Sequence, residues 1–234
     1  MSIQKKRLTR LYESIVGDID ESHFERLWET FCRAGLDLRK RLLCAISTLV
    51  TMGKSRHLEF FIEWALSENV VPVEINEVIL QSYLFAGYPA AIEGLFVLRK
   101  VLQKSGMSFE ASDVGYDVRG WRERGLKLCR QVYGKNFNRL QENMAELSPE
   151  LAEWMIVEGY GKVLDRPQLG TVERELCTVA SLTAMGWERQ LLSHIKGALN
   201  VGAPEDEVRE AICQTALFAG DPASQNGLEL LNHC

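Results

Sequence analysis

The feature that most constrains the fold of this chain is an internal repeat. When the sequence is shifted by 133 residues, positions 41–98 fall on positions 174–231 without a gap, and 24 of these 58 positions are identical. The densest match sets LFAGYPA at 84–90 against LFAGDPA at 217–223. Repeats of this kind are supersecondary units that bury their apolar faces by packing on one another. We therefore expect two tandem copies of one structural unit.

Each copy has the sequence signals of four helices. In the second copy, Thr171 is expected to cap a helix that ends at Gly186, and the next helix ends at Gly202. A third helix is expected from Pro204 to Gly220, with a fourth after it. Apolar residues recur at helical spacing, and no strand pattern is evident. The predicted fold is all-α, with two tandem helical bundles.

Segments ahead of each copy also favour helices. Two are predicted near 3–16 and 23–34, the latter opened by Ser22-x-x-Glu25, which has the form of a capping box. Three more are predicted ahead of the second copy, near 117–132, 136–146 and 149–164. Residues 105–116 have the composition of a linker, so we predict a first unit at 1–104 and a second at 117–234.

Charge and composition narrow the class of protein. The net charge is -5 and the pI is near 5.5, which argues against a nucleic-acid-binding protein. No apolar run is long enough to span a bilayer, and no apolar export signal follows the basic N-terminus. The six cysteines form no C-x-x-C pair, so we expect reduced thiols and a cytoplasmic protein. The sequence has neither a metal-ligand cluster nor a phosphate-binding loop, so we expect no cofactor.

The second half resembles a known family in several ordered motifs. They are Gly161-x-Val163-x-x-Arg166-Pro167-x-Leu169, Arg174-x-Leu176, Leu191-x-x-His194, Glu207-x-x-Glu210, Gln214 and Phe218-Ala219-Gly220-x-Pro222-Ala223. Their order and spacing resemble the carboxymuconolactone decarboxylase family, the helical group that includes the alkylhydroperoxidase-D proteins. The resemblance implies a compact helical bundle that oligomerises, with two-unit chains forming homotrimers.

Polar residues present only in the second copy are the best candidates for chemistry. His194 lies within the apolar stripe of its helix, and Phe61 stands at the same position in the first copy. A buried histidine needs a hydrogen-bond partner and is suited to proton transfer near neutral pH. A core histidine bonded to a carbonyl is the alternative, and the family resemblance favours a site. Glu175, which replaces Leu42 of the first copy, is the second catalytic candidate.

The peroxidase branch of the family implies a different set of catalytic residues. Its pattern, Glu-x11-Cys-x-x-Cys-x3-His, sets the acid on Glu175 and the imidazole on His194. The two thiol positions fall on Trp187 and Gln190, so both thiols are missing. Trp187 is kept as a substrate-binding candidate. Cys177 recurs as Cys44 in the first copy, which favours a core residue over a redox thiol.

A decarboxylase needs a cation for the substrate carboxylate and an acid that protonates carbon. Arg166 and Arg174 are the candidate cations, and Tyr160 and Gln214 are candidates for polar contacts. Arg174 recurs as Arg41 and Gln214 as Gln81, so roles in the fold stay open for both. Arg166 has no evident counterpart in the first copy, which makes it the better ligand. Family decarboxylases usually carry Glu at the position of Lys162, which leaves the substrate open.

The leading hypothesis is a cofactor-independent decarboxylase that acts on a small anionic molecule through His194. A second hypothesis is an antioxidant peroxidase like the alkylhydroperoxidase-D branch, although the C-x-x-C is absent. A third is a non-catalytic binding or assembly protein that retains the bundle. No nucleic-acid or membrane partner is expected.

Overall fold

Helices form the whole architecture of the part of the chain described by the computed structural model, residues 3–18, 20–110 and 117–234. The first half contains α1 (Ile3–Ile15), α2 (Glu21–Cys32), α3 (Leu38–Thr51), α4 (Ser55–Ser67), α5 (Pro72–Gln81) and α6 (Tyr83–Ser105). The second half contains α7 (Val118–Tyr133), α8 (Phe137–Leu147), α9 (Pro149–Trp154), α10 (Thr171–Met185), α11 (Glu188–Asn200), α12 (Glu205–Cys213), α13 (Ala216–Ala219) and α14 (Asp221–Asn232). A 3₁₀ turn (Gly134–Asn136) follows α7, and a π-helix (Met155–Leu164) continues α9. The predicted all-α fold is confirmed.

The two copies meet through their corresponding central helices, α3 and α10. Ser47 Oγ on α3 lies 2.7 Å from Ser181 Oγ on α10 and donates to the carbonyl of Cys177 at 3.1 Å. Both helices are buried along most of their length. Apolar side chains of both halves form one continuous core around them. Each copy therefore covers the apolar face of the other, as stacked repeats do.

Reciprocal ion pairs reveal a pseudo-twofold relation between the copies. Arg41 of the first copy donates to Glu210 of the second at 2.8 Å. Arg174 of the second copy donates to Glu77 of the first, also at 2.8 Å. Both arginines and both glutamates are separated by the 133-residue shift of the repeat. The two ion pairs are therefore equivalent, and the repeat relates one to the other.

The structure extends the repeat upstream and corrects the interpretation of Arg166. Arg33, which lies 133 positions earlier, donates to Glu210 at 2.8 Å, as Arg166 donates to Glu77 at 2.9 Å. Corresponding residues of the two loops also share a left-handed backbone, Gly35 at φ 97° and Gln168 at φ 72°. The expectation that Arg166 has no counterpart was wrong, because only the arginine and a leucine survive in this stretch of sequence.

Three local predictions differ from the structure at helix ends. Asp20, and not Ser22, caps α2, because its side chain accepts from the backbone N–H of Ser22 at 3.0 Å. Gly170 precedes α10, so Thr171 is its first residue and not its cap. The helix expected between Pro204 and Gly220 breaks into α12 and α13 after Cys213. These are boundary errors that leave the order of elements unchanged.

Two glycines let α7 and the π-helix cross in direct backbone contact. A Cβ atom at Gly125 would lie 2.0 Å from the carbonyl oxygen of Ile156, and one at Gly161 would lie 1.8 Å from that of Trp121. Real Cβ atoms do not approach so closely, so only glycine permits this crossing. The crossing builds a second, smaller apolar cluster that lies over α11.

The predicted linker falls partly outside the described residues. Helix α6 continues to Ser105, and residues 111–116 of the predicted linker lie outside the part of the chain that the structure describes. The division at 1–104 and 117–234 therefore stays a prediction.

Candidate active site

Glu175 and His194 form a buried acid–imidazole pair in the second copy. Glu175 Oε2 on α10 lies 2.8 Å from His194 Nδ1 on α11. The side chains are 2% and 9% exposed, respectively. Because a carboxylate oxygen only accepts, Nδ1 carries the hydrogen, which fixes the orientation of the ring. Nε2 makes no hydrogen bond with any residue in the described part of the chain and is the nitrogen available to a ligand.

The wall of this site comes from the other copy. Phe85, near the start of α6, meets the imidazole of His194 edge-on, with ring centroids 5.6 Å apart and planes at 86°. The site therefore lies at the seam between the two copies. An apolar ring against one face of the imidazole also excludes water from the pair.

Gly197 allows the second-copy lead-in to close over the pair. A Cβ atom at Gly197 would lie 2.7 Å from Val132 Cγ1 and 2.9 Å from Glu175 Oε2. Asn200, one turn later on α11, donates to the carbonyl of Val132 at 2.8 Å and holds α7 in place. The close approach of α7 and α11 thus depends on glycine.

Three side chains lie close enough to Glu175 for its carboxylate to raise their pKa values. Burial raises the pKa of Tyr160 well above its usual range, and the nearby Tyr133 and Glu175 add to this. Burial also raises the pKa of Tyr133, against a hydrogen bond with Tyr160 that lowers it. Burial and then Glu175 raise the pKa of the Cys129 thiol to about 12. All three groups stay neutral at pH 7, so each can donate a proton in a hydrogen bond without adding charge.

The corresponding site of the first copy is filled with aromatic rings. Phe61 stands in place of His194 and meets Phe218 edge-on at 5.4 Å, as His194 meets Phe85. Trp64 stands in place of Gly197 and packs against Phe31, with centroids 4.8 Å apart. These rings are buried and belong to the main core. At these positions the first copy has packed aromatic rings and the second copy has the polar groups of the candidate site.

The arginine candidates are engaged in the fold. Arg166 donates to both oxygens of Glu77 at 2.9–3.1 Å, and Arg174 donates to the same carboxylate. Neither contacts Glu175 or His194 through a hydrogen bond in the described part of the chain. Arg174 also recurs as Arg41 in the reciprocal pair. The geometry favours structural roles, and a substrate carboxylate would have to compete with Glu77.

The other candidates have different surroundings. Tyr160 is buried beside Tyr133 near Glu175, at the candidate site. Gln214 is buried and donates to the carbonyl of Arg41 at 3.2 Å, in the contact between copies. Trp187 is 56% exposed at the start of α11. The structure therefore brings together Glu175, His194 and Tyr160 among the sequence candidates.

Sequence reasoning missed Phe85, Tyr133 and Cys129. Phe85 belongs to the LFAG motif that both copies keep, which was a signal for the fold and not for a site. Tyr133 and Cys129 lie on α7 in the lead-in, where no repeat position marks them. Their proximity to Glu175 depends on the crossing of α7 over α11.

The cysteine positions bear on the peroxidase alternative. Cys44 and Cys177 are both buried at the contact between α3 and α10, and a hydrogen bond with Cys177 together with burial raises the pKa of Cys44. Cys129 is buried as well. Buried thiols with raised pKa values are poor thiolate nucleophiles. The redox role considered for these cysteines has no support in their surroundings.

Within the described residues there is neither a metal-ligand cluster nor a helix that could span a membrane. No group of three or more His, Cys, Asp or Glu side chains within residues 3–18, 20–110 and 117–234 is placed to hold a metal ion. No helix in the same residues is long and apolar enough to cross a membrane.

Comparison with known proteins gave a family match in both halves. The model of the carboxymuconolactone decarboxylase family matches residues 19–100 and 149–233. A 4-carboxymuconolactone decarboxylase from Acinetobacter baylyi is 33% identical over 109 residues, 46% of this chain and 81% of that protein. A nitrosuccinic acid decarboxylase from Metarhizium robertsii is 29% identical over 43% of this chain and 71% of that protein. Peroxisomal protein 2 from Schizosaccharomyces pombe is 29% identical over 59% of this chain and 65% of that protein.

Proposed function

Because this chain belongs to the carboxymuconolactone decarboxylase family, we propose that it removes CO2 from a small organic anion at the Glu175–His194 pair. The observation that carries the proposal is the 2.8 Å contact between these two buried side chains, which leaves Nε2 of the imidazole free. Two relatives are named as decarboxylases, one of 4-carboxymuconolactone and one of nitrosuccinic acid. Their names share a single reaction type, the loss of CO2 from a small acid.

The proposed reaction needs one proton and no cofactor. The C–C bond to the carboxylate breaks, CO2 leaves, and the electron pair stays on carbon, conjugated to an electron-withdrawing group of the substrate. Protonated His194 gives the proton on Nε2 to that carbon, or to a carbon conjugated with it, and takes another from water after product leaves. Glu175 accepts a hydrogen bond from Nδ1 and holds the ring in position. Net, the carboxylate R–COO⁻ and one proton yield R–H and CO2.

The neutral side chains near Glu175 supply further donors. Tyr160 keeps its hydroxyl proton at neutral pH, so it can stabilise an enolate-like or nitronate-like oxygen. Phe85 shields the imidazole from water, which strengthens these interactions. Arg166 and Arg174 remain substrate-binding candidates only if a substrate carboxylate displaces Glu77. Trp187 and Gln214 are substrate-contact candidates on sequence grounds, and neither is hydrogen-bonded to Glu175 or His194 within the described residues.

The test is a turnover screen with a matched histidine control. Carboxy-lactones, unsaturated acids and nitro-substituted diacids are incubated with the protein in D2O and followed by NMR. A substrate should lose CO2 and gain one deuterium, either at the carbon that carried the carboxylate or at a carbon conjugated with it. His194→Ala and Glu175→Gln should lower kcat by about 10²–10⁴-fold. His57→Ala, which removes a histidine of the first copy, should keep the wild-type rate.

The outcomes separate the three functional classes. Full turnover by His194→Ala would refute the proposed mechanism. Peroxide reduction that depends on Cys177 or Cys213 would support the antioxidant class instead. Failure of every compound, combined with saturable ligand shifts at His194, would support a non-catalytic binding protein.

We also propose that the chain forms a homotrimer. Tyr88, Ile92 and Phe96 form an exposed apolar stripe on α6. The corresponding positions of the second copy are all polar: Asp221, Gln225 and Glu229. A stripe that only one copy carries is typical of an interface. Light scattering should give three times the chain mass of 26.5 kDa, and Tyr88→Asp, which installs the second-copy residue, should give single chains. Wild-type protein that stays at the single-chain mass would contradict this assembly.

For location we propose the cytoplasm, with the peroxisome as the alternative that the name of the fission-yeast relative suggests. Fluorescence imaging of the tagged full chain, beside markers of both compartments, distinguishes the two.

A further inference from the structure

Two adjoining hollows lie between the end of α7, the start of α8 and the outer face of α11. Their volumes are about 470 and 260 Å³. Four residues line both of them: Tyr133, Asn136, Lys196 and Asn200. We call these two hollows together the basic hollow. Volumes of this size fit a small organic molecule.

The basic hollow carries an excess of positive charge. Lys135, Arg139 and Lys196 line it, and no aspartate or glutamate side chain does. Cys234, the last residue, also lines the larger hollow, and its carboxylate offsets at most one of the three charges. None of the three cations forms an ion pair with any residue that the structure describes, although many other basic side chains in this acidic protein do. Unpaired cations around a concave surface concentrate positive potential there. This arrangement attracts an anion.

Neutral donors add to the attraction. The side-chain amides of Asn136 and Asn143 make no hydrogen bond within the described residues. Helix α8, which is 11 residues long, begins at the hollow, and its first turn brings Arg139 to the rim. The backbone N–H of Phe137, the first residue of α8, already donates to the carbonyl of Gly134, so the helix end adds little to the site. The cations and the neutral amides are the two features that favour an anion.

We propose that the basic hollow is a binding site for a small organic anion with at least two negative charges, carried by carboxylate or phosphate groups. Lys135, Arg139 and Lys196 neutralise the charges, while Asn136 and Asn143 donate hydrogen bonds to the same oxygens. Lysine and arginine both bind such groups, and arginine adds a two-pronged contact. The volumes of the two hollows fit a small molecule, so we expect a small anion.

The basic hollow is separate from the Glu175–His194 pair, and Tyr133 lies between the two. Lys196 is two positions after His194 on α11, so the two side chains lie on different faces of the helix. Tyr133 lines the hollow, and its ring meets that of Tyr160 edge-on with centroids 6.0 Å apart; Tyr160 lies near Glu175. Binding in the hollow requires no turnover, so the inference goes beyond the proposed function and its test does not depend on a decarboxylase substrate.

The experiment is a calorimetric and NMR titration of the intact chain with three salts at equal ionic strength: citrate, inorganic phosphate and chloride. Citrate or phosphate should bind saturably where chloride does not, with shifts at the side-chain amides of Asn136 and Asn143. Lys196→Met and Arg139→Met should each weaken binding by about tenfold, since each removes one charge-assisted contact. Lys196→Arg should restore it.

Lys100→Met is the matched control, because Lys100 pairs with Glu59 on a different surface. It should leave the affinity unchanged. Saturation with citrate alone identifies a carboxylate ligand, and saturation with phosphate alone identifies a phosphate ester. The proposal fails if neither anion saturates, or if Lys100→Met weakens binding as much as Lys196→Met. Both hollow variants remove solvent-facing charges, so we expect both to fold, and circular dichroism measures this.

Discussion

Glu77 neutralises two arginines, Arg166 and Arg174, where the copies meet. It is fully buried and accepts from Arg166 through three contacts of 2.9–3.1 Å and from Arg174 at 2.8 Å. Burial lowers the pKa of Arg174, and Glu77 opposes this effect. Glu77→Gln would keep the shape of the side chain but leave two guanidinium groups without an anion.

The loss of folding stability expected for Glu77→Gln follows from this burial. Removing one partner of a buried ion pair costs about 3–5 kcal/mol, because the remaining charge is left without compensation. Arg174 is 1% exposed and cannot turn toward water, so the upper part of this range applies. In a chain of 234 residues this corresponds to a fall in Tm of about 10 °C.

The repeat supplies a matched control in Glu210→Gln. Glu210 makes the equivalent contacts with Arg33 and Arg41, but its side chain is 14% exposed and that of Arg33 is 46% exposed. Arg33 can turn toward water, but Arg41 is 0% exposed and loses its anion, so we expect a cost of about 3 kcal/mol, which is below that of Glu77→Gln because only one of the two arginines stays buried.

The assay is urea unfolding of both variants at one fixed protein concentration, followed by circular dichroism and analysed for midpoint and slope. The reasoning is refuted if the two variants lose equal stability. It is also refuted if Glu77→Gln costs less than about 1 kcal/mol, because the buried charges would then be compensated in another way.

Three further predictions concern other parts of the chain. Gly197→Ala should displace the carboxylate of Glu175 and cost about 1–3 kcal/mol of stability, and urea unfolding with a substrate-turnover assay checks both effects; unchanged turnover would contradict the close contact. Burial, then His23 and Lys54, lowers the pKa of His57, so its neutral form stabilises the fold above about pH 6.5 and this contribution is lost as the pH falls. His57→Gln should therefore flatten the acid limb of the stability–pH curve, and an unchanged limb would exclude this origin. Trp64→Ala should cost about 3–5 kcal/mol, whereas Trp64→Phe should cost less than half of that because the buried indole N–H has no acceptor among the described residues; thermal unfolding measures both.

Local signals in the sequence were sufficient for most of the fold. Helical spacing of apolar residues, together with glycine and proline at helix ends, depends on neighbours a few positions away and predicted the order of the helices. The cap of α2 was placed two residues late because Asp20 and Ser22 are both good N-cap residues. Which one caps a helix depends on the path of the preceding chain, and that path is not a local property.

The sequence by itself determined that this chain is all-α, that it contains one unit twice, and that Glu175 and His194 distinguish the second copy. Glu175 and His194 lie on two helices joined by a short turn, so their contact could be predicted from their spacing in the sequence. Only the tertiary structure decided that Phe85 of the first copy forms the wall of the site and that Arg166 is paired with Glu77. Those partners are 109 and 89 residues apart in sequence, respectively. Contacts over such separations arise from how the two copies pack on each other, which no local pattern encodes.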